Sequence, residues 1–145
     1  MRAEKGRFKE KHAPETIADP GIAQSVSQKV RKGKVTCVDA ELIASELHKS
    51  MQEVGVVLDL LEVSLISCQL GLFGYDPQKK IVVPAKSVEK EITAAITEKL
   101  VNGCLPCQAA WQIAEALACP KMKVAAVCEA TNMKIKPCQL GAFKQ

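Results

Sequence analysis

Apolar residues recur every three or four positions through most of this chain, with only short extended stretches between the periodic segments. In residues 87–103, SVEKEITAAITEKLVNG, the side chains of Val88, Ile92, Ala95, Ile96 and Leu100 share one helical face, and Asn102-Gly103 marks its end. Cys104 and Leu105 leave room for a strand stub only, and Pro106 suits the first turn of a second helix. That helix turns Ala110, Ile113, Ala114 and Leu117 inward. Pro120 opens a third helix, KMKVAAVCEAT, after which MKIKPCQLGAF reads as extended. The first half of the chain follows the same plan with different caps. Thr36 has Asp39 three residues on, and Ser50 has Glu53 three residues on, the second pair being a full capping box.

The two halves correspond without a gap. Laid over residues 84–143, residues 14–73 are identical at sixteen of sixty positions, and the phrase CQLG at Cys68–Gly71 returns at Cys138–Gly141. Conservative pairs such as Val26/Ile96 and Leu65/Ile135 extend the match. The chain therefore reads as a tandem duplication: a basic tail over 1–13, one unit over 14–83 and a second over 84–145. Two copies are too few for a solenoid, so the expected fold is mainly α with small β elements, its two units related by a pseudo-two-fold. The repeated phrases are expected to anchor the core through Leu70 and Leu140, bend at Gly71 and Gly141, and pair with each other as strands.

Two helices joined by a three-residue turn, at 40–59 and again at 110–129, resemble the helix-turn-helix superfamily. Its members place a small residue where the helices touch, matched here by Ala44 and Ala114. They place apolar residues at the positions held here by Ile43, Leu47, Val54 and Val57, and by Ile113, Leu117, Val124 and Val127. The turn departs from the pattern. The family favours Gly there, whereas this chain has His48 and Ala118, which implies a slightly altered turn. A strand stub before the helix pair and an extended segment after it make each unit similar to a winged helix. The wing of the first copy would be Val63–Phe73, a turn at Asp76-Pro77 and a return strand at Lys80–Val83.

The resemblance implies a third helix that enters the DNA major groove. The matching outer positions are Ser50, Met51, Gln52, Gly55, Val56 and Asp59, and Pro120, Lys121, Met122, Ala125, Ala126 and Glu129. Base edges are read mainly by Arg, Lys, Asn and Gln, and only Gln52 and Lys121 qualify. Asp59 and Glu129 would repel phosphates. Gly55, Val56, Ala125 and Ala126 instead form a small apolar face that suits a partner, either a second subunit or another protein.

Charge refines this picture. The formal net charge is +4. Residues 1–34 carry a balance of +5, residues 35–73 one of −5 and residues 74–145 one of +4, so any phosphate-binding surface belongs at the ends. Lys121 and Lys123 on the third helix, with Lys134 and Lys136 alternating along the next segment, could grip double-stranded DNA together with Arg2, Lys5, Arg7, Lys9 and Lys11. Solubility alone is the plainer account of the same lysines. Two functions stay open: a DNA-associated transcriptional regulator that binds backbone, or an interaction and dimerisation module whose helix faces are buried.

Seven cysteines, an odd number, follow a charged start, MRAEKGRFKEKH, with no apolar stretch behind it. A reduced, cytoplasmic setting is expected, with no membrane partner and most thiols acting as small buried hydrophobes. Cys104-Leu-Pro-Cys107 is a CxxC, but Cys104 matches Lys34 in the other copy. Only Cys37/Cys107 and Cys68/Cys138 are shared; a zinc site built from those four is the sharper alternative to core packing. A metal or redox sensor is thus a third reading. No cofactor is expected. With His12 and His48 as the two histidines and no Gly-rich phosphate loop, catalysis has little to draw on, and no enzyme activity is expected.

Overall fold

The computed structural model describes residues 12, 13 and 16–141. The tail lysines and arginines at 2–11, with Pro14 and Phe143, lie outside the described residues. The fold is mainly helical, with one small two-stranded sheet. Two compact units emerge: residues 1–68 with 139–145, and residues 69–138. Residues 69–83 thus belong with the second unit and 139–141 with the first, an exchange absent from contiguous units at 14–83 and 84–145.

In the first unit, Asp19 caps α1 (Pro20–Lys29) by accepting from the Ile22 N–H at 3.0 Å. Ile22 and Val26 face the core. Arg31 and Lys34 then exchange two backbone hydrogen bonds around Lys32 and Gly33, both at positive φ, as in a two-residue hairpin turn. β1 (Lys34–Thr36) leads into α2 (Cys37–Leu47), capped by the Thr36 hydroxyl. α3 (Met51–Leu60) starts with the expected capping box, Ser50 and Glu53 bonding reciprocally. β2 (Ser64–Ile66) returns parallel to β1, with Val35 opposite Leu65. Ile22, Val35, Ile43, Val54 and Val57 are almost wholly buried between these elements.

The second unit repeats this plan seventy residues on. α4 (Lys90–Lys99), α5 (Cys107–Ala116) and α6 (Lys121–Ala130) match α1, α2 and α3. Leu105 forms a parallel bridge to Ile135, the counterparts of Val35 and Leu65. Caps differ: Glu89, Pro106 and Pro120 occupy the N-cap positions without side-chain bonds. Asn102-Gly103 is not a helix cap. α4 stops at Lys99, and these residues turn a hairpin closed by two Val101–Cys104 backbone bonds. Positive-φ residues recur in register: Lys32 with Asn102, Gly33 with Gly103, His48 with Ala118, Glu62 with Asn132, and Gly71 with Gly141.

Several expectations change. His48 (φ 54°, ψ 45°) and Ala118 (φ 53°) both take the left-handed turn that the missing glycine had put in question. Leu47 and Leu117, expected in the core, are only half-buried. The hairpin over Val63–Val83 does not form. β2 spends its pairing on β1, Gly71 bends the chain at φ 75°, and the Ile81 and Val82 N–H groups donate to the Gly71 carbonyl. The two CQLG phrases are turns rather than strands, so the proposed strand pairing between them fails as well.

Candidate functional site

The outer faces of α3 and α6 are where the superfamily resemblance puts function, and both are covered in part. Gly55 is buried at the middle of α3. A Cβ there would lie 2.3 Å from the Leu140 carbonyl oxygen, 2.7 Å from its carbon and 2.9 Å from its Cα. Helix-interior glycine costs about 1 kcal/mol against alanine, and here it admits the backbone of 139–141. One turn on, Asp59 is buried and lies 2.9 Å from His12 Nε2. It therefore meets an imidazole, where the helix-turn-helix resemblance had put it opposite phosphate. Val56 is half-buried, and Gln52 is exposed.

On α6 the equivalent face meets residues 69–85. Lys121 Nζ donates to Gln69 Oε1 at 2.8 Å and sits 4.1 Å above the centre of the Trp111 ring. Gly71 packs on Met122: a Cβ added to it would stand 3.2 Å from the Met122 sulfur. Ala125, the counterpart of Gly55, has no exposed surface, and Leu70 is 1% exposed in the same unit. The Ala126 carbonyl accepts from the Ala85 N–H at 3.0 Å. Glu129 pairs with Lys80 at 2.8 Å. Gln69, Trp111, Lys80 and His12 carry these contacts, and none was singled out as a site residue from sequence. The repetition of Gln69 as Gln139, inside the CQLG phrase, was the available signal.

The lysines separate into two groups. Lys121 is engaged as described, and Lys123 pairs with Glu89, whose hydrogen bond and charge hold the ammonium above its ordinary pKa. Lys134 and Lys136 are exposed on either side of Ile135, their backbones bonded to Leu105. The alternation expected for them is thus present, and it does not extend to Lys121 or Lys123.

All seven cysteines are free thiols. Cys37, Cys68 and Cys107 are buried, and Cys104 and Cys138 half-buried. Cys107 donates its N–H to the Pro137 carbonyl at 3.1 Å, so it begins α5 against the segment that carries Cys138. Burial, with Glu129 adding to it, pushes the Cys128 thiol up to about 11. Among the described residues no group of three or more His, Cys, Asp or Glu side chains is placed to hold a metal ion. No helix among them is long and apolar enough to cross a membrane.

Comparison with protein-family models, with curated proteins and with solved structures finds no match to this chain.

Proposed function

We propose that this chain is a non-enzymatic protein-interaction module, built on two tandem helix-turn-helix units whose third helices do not read DNA. The supporting observation is the approach of the Leu140 backbone to Gly55, which occupies the place a base pair would need on α3. Asp59 with His12, and Lys121 with Gln69 and Trp111, occupy further reading positions. A groove-reading helix needs its outer face free and furnished with hydrogen-bonding side chains. At Gly55 this chain covers the middle of that face on α3 with its own backbone.

A second reading rests on Lys134 and Lys136, exposed together beside Ile135. With the basic tail they would hold duplex DNA by its phosphates, as a DNA-associated regulator with little sequence preference.

A salt series of duplex DNA titrations separates the two. Under the first reading, Gln52→Ala and Lys121→Ala leave any low-salt DNA binding unchanged. Sequence-selective binding that either substitution abolishes would overturn it. Under the second, binding falls steeply with salt and weakens with Lys134→Ala and Lys136→Ala; no binding at low salt removes it.

A further inference from the structure

The CxxC at Cys104–Cys107 is held too straight to close on itself. Leu105 donates to the Lys134 carbonyl and accepts from the Lys136 N–H, both at 2.9 Å, and Pro106 is extended at φ −60°, ψ 144°. Three extended steps set the two Cα atoms about 10 Å apart, beyond the ~7 Å that a disulfide can bridge. Cys107 faces a different thiol. Leu105, whose N–H bonds the Lys134 carbonyl, lies opposite Ile135 in a parallel bridge. Cys107 donates its N–H to the Pro137 carbonyl at 3.1 Å, so by the same relation it lies opposite Cys138. Opposed residues of such a ladder are about 5 Å apart at Cα and project to the same side. That separation falls inside the window of about 4.4–6.8 Å found for disulfides. The pair also recurs. Cys37 and Cys68 hold the same two places in the first unit, at the start of α2 and directly after the left-handed Ser67. Each pair lies within a single unit.

We propose that Cys107 and Cys138 are a site of reversible oxidation, closed to a disulfide by hydrogen peroxide. Cys138 is half-buried and Cys107 is 7% exposed, so Cys138 meets the oxidant and Cys107 resolves it. The Cys138 sulfur attacks the peroxide, the O–O bond breaks, and a sulfenic acid forms with release of water. The Cys107 sulfur then attacks the Cys138 sulfur. The S–S bond forms, the S–O bond breaks, and the hydroxyl leaves with the Cys107 proton as a second water. Two thiols are oxidised by two electrons in all, and the peroxide is reduced by the same two. A small dithiol reverses the step by exchange. Cys37 and Cys68 are each 6% exposed, which shields the first pair from the oxidant while its unit is folded. The disulfide would tie the start of α5 to the segment that follows Ile135. This site is independent of the interaction reading above, since both thiols lie inside the second unit and their joining needs no partner.

The experiment exposes the reduced full-length chain to hydrogen peroxide, blocks the remaining thiols and maps linkages by tandem mass spectrometry without reduction. The expected product is a Cys107–Cys138 link within one chain, removed by dithiothreitol and unaffected by Cys104→Ser. Cys107→Ala abolishes the link and leaves Cys138 as a sulfenic acid that dimedone traps. Cys138→Ala leaves Cys107 a thiol. Oxidation in urea moves the link to Cys104–Cys107, because the shorter loop closes more readily in an unfolded chain. A native link between Cys104 and Cys107 overturns the proposal. So does a Cys37–Cys68 link that forms while Cys138 stays a thiol, or Cys138 oxidised in the wild-type chain without Cys107. The same Cys107–Cys138 preference in urea also overturns it, since the fold would then select nothing. If Cys107→Ala loses its helices by circular dichroism, the wild-type linkage maps in native buffer and in urea decide the matter by the same outcomes.

Discussion

Gly55 and Leu140, 85 positions apart in sequence, touch backbone to backbone, with the Leu140 carbonyl oxygen 2.3 Å from where a Cβ on Gly55 would stand. Gly55→Ala therefore destabilises the chain by about 1–3 kcal/mol in urea unfolding, as overpacking does. The sign is the informative part, because alanine in an unobstructed helix interior gains about 1 kcal/mol over glycine. At the equivalent position in α6 the opposite change, Ala125→Gly, costs about 1 kcal/mol through helix propensity.

Left-handed residues give a prediction of the other sign. His48 and Ala118 hold φ near 54° and 53° at the ends of α2 and α5, where an L side chain is strained and glycine is not. His48→Gly and Ala118→Gly each stabilise by about 0.5–1 kcal/mol, net of the greater freedom glycine gives the unfolded chain. Thermal melts of the single and double variants check this, and the two effects should add.

Trp111 is the single tryptophan, so its emission reports on the seat of residues 69–71. Lys121→Met removes the cation above the ring and the bond to Gln69. The expected result is a changed emission maximum or yield, with a stability loss of about 0.5–1 kcal/mol. Gln69→Ala should shift emission in the same direction, since it frees the ammonium to leave the ring.

Acid stability tests the capping box. Backbone and hydroxyl hydrogen bonds from Ser50 hold the Glu53 carboxyl below its ordinary value of 4.5. A depressed folded-state pKa contributes stability that is present above pH 4.5 and lost as pH falls through the folded value. Glu53→Gln should therefore flatten the fall in stability below pH 4.5, measured by urea midpoints across that range.

Thiol labelling checks the cysteine assignment. At pH 8, native protein should be alkylated first at Cys104, Cys119 and Cys138, all half-buried. Cys128, with its thiol raised to about 11, should react only after unfolding. Peptide mass spectrometry resolves the sites.

The amino-acid sequence by itself determined the duplication, the six helices and two of their side-chain caps, because each depends on residues within a few positions of one another. Ser50 with Glu53 and Thr36 ahead of Asp39 are such cases. It misassigned Asn102-Gly103 because the same dipeptide serves helix ends and hairpin turns, and only the Val101–Cys104 bonds distinguish them. Tertiary structure alone decided what covers Gly55 and Ala126, that Asp59 meets His12, and that Lys121 is occupied. It also decided the CQLG phrases, which are legible as a repeated joint but not as segments traded between the copies. The reason is physical: local preference is the same whichever copy a segment packs on. The choice rests on contacts between residues fifty to eighty-five positions apart, which no periodicity along the chain encodes.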